Sequence, residues 1–488
     1  MAPTTGGVTV PSDFLPADAL SHLLRRATYG PTPASLAEAR RLGASAWLER
    51  QLAPASIGDK TAEGLVARLP LSALTVDGVR AKARSGTIRQ YGWEPMYQLG
   101  AATLARAIWS ERQLFETMVE FWSNHLHVAN PAGDVWESRP DYDRRVIRAY
   151  ALGRFSDMLK ASARHPAMLT YLDNRFSTRQ APNENYGREL LELHTVGLGY
   201  TESDVRNAAR LLTGLTVNWD TGAYRYDAAR HATGAVKVMG FRHANKSAAG
   251  GQTAAMALLD HLALHPATAR RIATKLCVRF VADDPPASLV TRLAKVYLDK
   301  RTAIVPVLRA LFTSPEFAAS VGAKTRTPYE DLVATVRTLG FGPEPSGTQA
   351  LTALYWISDS AGQAPMAWAP PNGYPDVASA WASPSGQVIR WNAHLSIAAG
   401  WYPTTLQRPG SLLRAYAGST LPATYGALID VVANRLLGRG VAPEHSAALA
   451  GFFGKTPESR LKPRDAVADW QFPYLVALLL NSPYFALR

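Results

Sequence analysis

Apolar residues recur every three to four positions through most of this chain, a period that restricts it to packed helices. Strict alternation, the mark of a half-buried strand, is confined to short stretches such as 224–226 and 236–239. The spacing predicts helices over 17–28 and 33–52, the second opening at Thr32-Pro33, a cap followed by proline in the first turn. Over 110–126 it places Leu114, Met118, Phe121, Trp122 and His125 on one face. A helix over 184–196 is capped by Asn183 and stopped by Gly197. Thr201 and Asp204 make a capping box for the next one, which runs to Gly214. A further helix starts at His265-Pro266 and ends before the break at 283–286. The expected fold is mainly α: a large multi-helix globular body with long irregular loops and at most a few short strands.

Along the chain the expectation is an N-terminal arm over 1–16, a main helical body over 17–340, and a C-terminal helical part over 341–488 packed on it. A single domain over 17–488 is the other division. The segment 341–348 (FGPEPSGT) reads as a linker, and 364–376 as an ordered loop packed through its aromatics. Segments 311–317 (LFTSPEF) and 479–485 (LLNSPYF) share a Ser-Pro stop, read as common punctuation rather than duplication.

With 19% charged and 47% apolar residues, disorder is excluded for the chain as a whole. The apolar run 472–480 is far shorter than the roughly 20 residues a membrane span needs. No basic start followed by an apolar stretch opens the sequence, so no signal peptide is visible. One cysteine, Cys277, excludes an intramolecular disulfide; it adjoins an apolar helix face and reads as core rather than nucleophile. Lysine and arginine exceed aspartate and glutamate by 52 to 39, a net charge of +13 that suits an anionic neighbour. The basic residues are scattered, however, which favours free arginine usage in a GC-rich bacterial genome over a dedicated anionic partner. No specific nucleic-acid motif accompanies them. GxSxG, Walker, strand-preceded GxGxxG, CxxCH, zinc-ribbon and HExxH patterns are all absent, which sets aside the common serine hydrolases, NTPases and Rossmann dehydrogenases.

Four constellations remain. In 121–127 (FWSNHLH), His125 falls on the apolar helix face and His127 about 200° round from it, so a shared metal requires the helix to break between them. A buried His125 satisfied by a carbonyl accounts for the same pattern. In 183–194 (NENYGRELLELH), Glu184, Arg188 and Glu192 form a row, while Glu189, Glu192 and His194 supply acid/base or metal-ligating groups. A plain charge row is the structural alternative. His265 opens a helix carrying Arg271, Lys275 and Arg279 at four-residue spacing, a row that could receive an anion or simply face solvent opposite Ile272 and Leu276. The loop 231–246 offers His231, Lys237, His243 and Lys246 as a lid or as an ordinary insertion.

Segments 22–31 (HLLRRATYGP), 121–125, 183–197, 208–214 (AARLLTG), 265–269 (HPATA) with 275–277 (KLC), and 370–376 (PPNGYPD) with Trp381 together resemble one uncharacterised bacterial family, catalogued as domain of unknown function 1800. The resemblance runs from about His22 to Arg488. It implies no established activity. Members of that family are often exported and encoded beside relatives of alkaline phosphatases and sulfatases, which implies an extracytoplasmic pathway. Here no export signal is visible, and Ala232 stands where the family commonly has an acidic residue after His231.

Two readings follow. As an enzyme, the chain holds a divalent metal ion on His125, Glu189, Glu192 and His194 in a polar cavity between central helices, with the substrate undetermined. Glu189, Glu192, His231 and Lys237 are then the candidate catalytic residues. Asn124, Glu184, Arg188 and Arg210 orient them, and Tyr374, Asp376 and Trp381 line the substrate. As an accessory or scaffold protein, the chain uses the same residues as a buried polar network and binds an anionic polymer or acidic partner protein through its basic surface. The tips of His125, Glu192 and His194 converge in the first reading and pair off separately in the second.

Overall fold

Helix ends sit where the capping residues put them. Asp18 caps Ala19–Ala27, and Thr32 with Pro33 opens Pro33–Leu42. Gly43, at φ 81°, then ends that helix and starts Ala44–Leu52, so the single helix expected over 33–52 is two. Gln113–His125, Glu202–Leu212 and Pro266–Phe280 follow the apolar period. Asn183 caps Glu184–Glu189, but Leu190–His194 continues as a π-helix, a widening that no apolar period reveals. This computed structural model describes Thr4–Thr5, Val8–Thr9, Phe14 and residues 18–488. Most of the arm expected over 1–16 lies outside the described residues.

The fold is mainly helical, and the described extended structure is three two-stranded antiparallel ladders. Leu215 pairs with Tyr226 and Val217 with Tyr224; Val236 pairs with His243 and Val238 with Phe241. The partner strands Leu215–Val217 and Phe241–His243 carry no pattern that distinguishes them in the sequence.

Two apolar cores organise the helices, and neither coincides with a cut at 340. One gathers Leu23 to Leu52 and Leu114 to Phe317 around Trp122, Phe155 and Phe280. The other joins Ala101 to Ile108 with residues 329–485 around Val333, Leu354, Leu428 and Val476. Pro328–Leu339 runs along the seam with every residue buried. The expected 341–348 linker is tied down as well: Gly342 bridges Gln407, and the buried Glu344 accepts from the Ala350 N–H.

Charged side chains buried along the seam hold the two cores together. Arg26, fully buried, donates to the carbonyls of Arg488, Phe280, Val281 and Ser320. Arg25 donates to those of Tyr484, Leu487 and Leu437. The adjacent arginines of segment 22–31 therefore fasten the first helix to chain more than 400 residues on. Five-donor guanidinium groups suit this task, because each satisfies several carbonyls that the seam would otherwise bury unpaired.

Candidate functional site

The seam opens into a cleft of about 370 Å³ between the Gln113–His125 helix, the Pro266–Phe280 helix and the 363–376 loop. Glu120 and Asn124, one turn apart, face it from the first helix, and Lys275 and Arg279 from the second. Lys275 and Arg279 are thus turned inward at the cleft rather than lying on a solvated face, while Arg271 is part-buried outside its lining. Arg279 is almost fully buried and lies 3.1 Å from Glu120 and 2.6 Å from Glu330.

Lys275 is held by a hydrogen bond whose direction is fixed. The Nε2 of His125 sits 3.1 Å from the His194 carbonyl oxygen, an acceptor only, so Nε2 carries the ring proton. The Nδ1 lone pair of a neutral imidazole is then left to accept from Lys275 Nζ at 3.1 Å. Burial, with Lys275 and Arg271 close by, lowers the His125 pKa well below its usual range and keeps that imidazole neutral. Burial and the nearby Arg271 also bring the Lys275 ammonium down to about 8. Glu120 moves the other way: burial pushes its carboxyl up to about 7, against the pull of Arg279.

The loop that covers the cleft is clamped through its backbone. Asn124 Nδ2 donates to the Tyr374 carbonyl at 2.7 Å while its Oδ1 accepts the Tyr374 N–H at 2.6 Å. His127 Nε2 donates to the Trp368 carbonyl at 2.6 Å, so His127 holds the loop and shares no ligand with His125. Trp368 and Trp381 flank Tyr374 at ring distances of 5.2 and 5.8 Å, and of the three Trp368 and Tyr374 line the cleft. Gly373 has φ 71°, and a Cβ there would lie 2.2 Å from the Asn124 carbonyl oxygen. Gly373→Ala is therefore expected to undock the loop and destabilise the fold by about 1–3 kcal/mol, from backbone strain and the lost Asn124 clamp. Increased proteolysis near 366–376 with the helix content unchanged would verify it; a loop as resistant as the wild type's would refute it.

The four expected metal ligands do not meet. His125 engages Lys275 and the His194 backbone, and the buried His194 ring has no protein partner at either nitrogen. Glu192 accepts from the Tyr200 hydroxyl, and Glu189 stands half-buried with its pKa raised by burial and by Glu192. Among the described residues no three His, Cys, Asp or Glu side chains form a metal-sized group. Glu192 and His194 lie only two residues apart on one turn, which sets their side chains on nearly opposite sides, His194 buried and Glu192 part-buried. The expected charge row does not form: Arg188 pairs with Glu202 of the next helix at 2.8 Å, and Glu184 is exposed.

The loop residues proposed to close over the site serve elsewhere. The buried His231 places Nδ1 at 2.9 Å from the Thr213 carbonyl and Nε2 at 2.9 Å from Asn245 Oδ1, locking the two hairpins together. Lys237 is exposed on its strand. Arg210 donates to the carbonyls of Thr233, Gly234 and Ala235 and shapes the turn between them. Asp376, by contrast, lines the cleft and is tied into the seam, 3.3 Å from Lys324 and 3.7 Å from Arg279. Cys277 is fully buried, and burial raises its thiol to about 12, as suits a core residue.

Glu120, Lys324 and Glu330 went unread in the sequence. The available signal was a charged residue inside a helix whose remaining positions are mostly buried, as for Glu120 within Gln113–His125.

Fold and site together define a helical protein with a lysine-bearing cleft at the seam of two cores. Over residues 22–487 of 488, the sequence matches the family described as protein of unknown function (DUF1800), and the chain belongs to that family. No curated protein and no solved structure matches it.

Proposed function

We propose that the chain is an enzyme whose cleft takes a small carbonyl-bearing substrate, with Lys275 as the reacting amine and Glu120 as its acid partner. The observation that carries this reading is the Lys275–His125 hydrogen bond beside the cleft, which orients the lysine amine at the cleft wall. An amine near pKa 8 beside another cation has a substantial neutral fraction at physiological pH, the condition an imine-forming lysine needs. Attack of the neutral amine on the carbonyl forms a carbinolamine. A proton from Glu120 to its hydroxyl then releases water and leaves the protonated imine. Phe121, Trp368 and Tyr374 on the cleft wall would limit water access to that bond.

The test is reductive trapping: a panel of small aldehydes and ketones with cyanoborohydride, read by intact mass and peptide mapping. A single adduct at Lys275, absent in Lys275→Arg, supports the enzyme. Reactivity of Lys275 towards an amine-reactive label should rise through a midpoint near pH 8, whereas ordinary lysines titrate near 10.4. No adduct, with labelling at Lys275 that rises only with the bulk lysines, sinks the proposal. The inward Lys275 and Arg279, with Arg271 close to Lys275, favour one other reading, a non-catalytic protein that holds an anionic polymer or acidic partner. In that case an acidic peptide protects Lys275 from labelling and no carbonyl compound adds.

A further inference from the structure

A second cleft, of about 460 Å³, shares no lining residue with the Lys275 cleft. Aromatic pairs line it. Tyr91 meets Trp136 at 5.6 Å between ring centres, and Phe176 meets Trp219 at 5.6 Å. Tyr91, Phe176 and Trp219 each leave half or more of their surface in water, at 66%, 53% and 55%. A folded protein rarely leaves three large rings around one concavity without a use for them.

The rings are held in place. Arg80 forks onto Glu137 at 2.5 and 2.8 Å and reaches the Trp219 carbonyl at 2.8 Å with its remaining nitrogen. Arg175 stacks on Phe176 at 4.8 Å and on Trp219 at 5.5 Å. Gly222 lets the turn that carries Trp219 lie directly on the helix Val76–Arg84: a Cβ there would fall 2.6 Å from Val76. Tyr91 itself has φ 57°, a left-handed backbone that costs a bulky residue free energy and here aims its ring into the cleft mouth.

The chemistry of the lining selects the ligand. Arg80, Arg84 and Arg175 are matched by Asp134, Glu137 and Asp220, so the cleft carries no net charge although the chain is strongly basic. The pairs Arg80–Glu137 and Arg175–Asp134, with Arg84 and Asp220 beside them, present donors and acceptors together, which hydroxyl-rich molecules use in both senses. Flat aromatic faces offer an apolar platform to the C–H face of a pyranose ring. The volume falls within the roughly 300–1,000 Å³ of small-molecule sites. We propose that this cleft binds a neutral saccharide, one or two hexose units of a glycan, and that it does so independently of the Lys275 cleft.

The test is calorimetric titration and affinity electrophoresis of the full chain with laminarin, soluble starch, xylan and galactomannan, with heparin as the acidic comparison. At least one neutral glycan should bind, equally in low and high salt. Trp219→Ala should weaken it about tenfold or more, and Trp219→Phe should recover much of the loss by restoring a flat ring. Both variants should retain the wild-type circular dichroism and the pH profile of Lys275 labelling. No neutral glycan bound, binding indifferent to Trp219→Ala, or binding only to heparin with strong salt dependence would each overturn the assignment.

Discussion

Replacing Glu330 with alanine is expected to lower folding stability by about 3–5 kcal/mol, the cost of breaking a buried ion pair from one side. Glu330 is 2% exposed, and its Oε1 lies 2.6 Å from both Arg279 and Arg488. Without it, two buried guanidinium groups face each other with only Glu120 and Asp376 nearby, at 3.1 Å and beyond. The substitution also removes the carboxylate that accepts the Thr327 N–H in the capping box, worth about 1 kcal/mol. Burial alone would raise the Glu330 pKa, but Arg279 and Arg488 outweigh it and hold the carboxyl at about 2. A group depressed in the folded state stabilises above its unfolded pKa, near 4.5, and loses that contribution as pH falls towards 2. Denaturant unfolding at pH 7 and near pH 3 measures both effects: the gap between wild type and Glu330→Ala should narrow in acid. A variant within about 1 kcal/mol of wild type at pH 7 would mean that the seam does not depend on this ion pair.

The seam also marks where sequence reading stops. Helices were legible because caps and apolar period act locally: Asn183, the Thr201–Asp204 box and His265-Pro266 each start a helix where expected. The burial of His125 against a carbonyl was legible too, since it follows from a position on the apolar face. What was not legible depends on contacts distant in sequence. The row Arg271, Lys275, Arg279 has the same spacing whether it faces water or a seam, and only the 363–376 loop and the Gln113–His125 helix decide between them. The π-turn at Leu190–His194 leaves composition and period unchanged, so nothing in the sequence announces it. Arg25 and Arg26 likewise give no sign in the sequence of the distant carbonyls they bind.

Lys275→Met is expected to make the protein more stable at pH 7 while abolishing carbonyl trapping. The burial that brings Lys275 from 10.5 to about 8 is a penalty on the charged native state worth about 3 kcal/mol. For a base depressed by folding, that penalty is complete below pH 8, where both states are protonated. It fades as pH rises towards 10.5, where both are neutral. Methionine fills a similar volume with no charge to desolvate. Against the gain stands the His125 Nδ1 lone pair, which loses its donor at a cost of about 1 kcal/mol. The net expectation is a rise of about 2 kcal/mol at pH 7, shrinking steadily between pH 8 and 10.5, measured by urea unfolding of both proteins across that range. A lysine serving only the fold would be missed when removed, and a variant less stable than wild type at pH 7 would place Lys275 among the structural groups. A stabilised variant that no longer traps carbonyl compounds would mark Lys275 as a group that weakens its own fold in order to react.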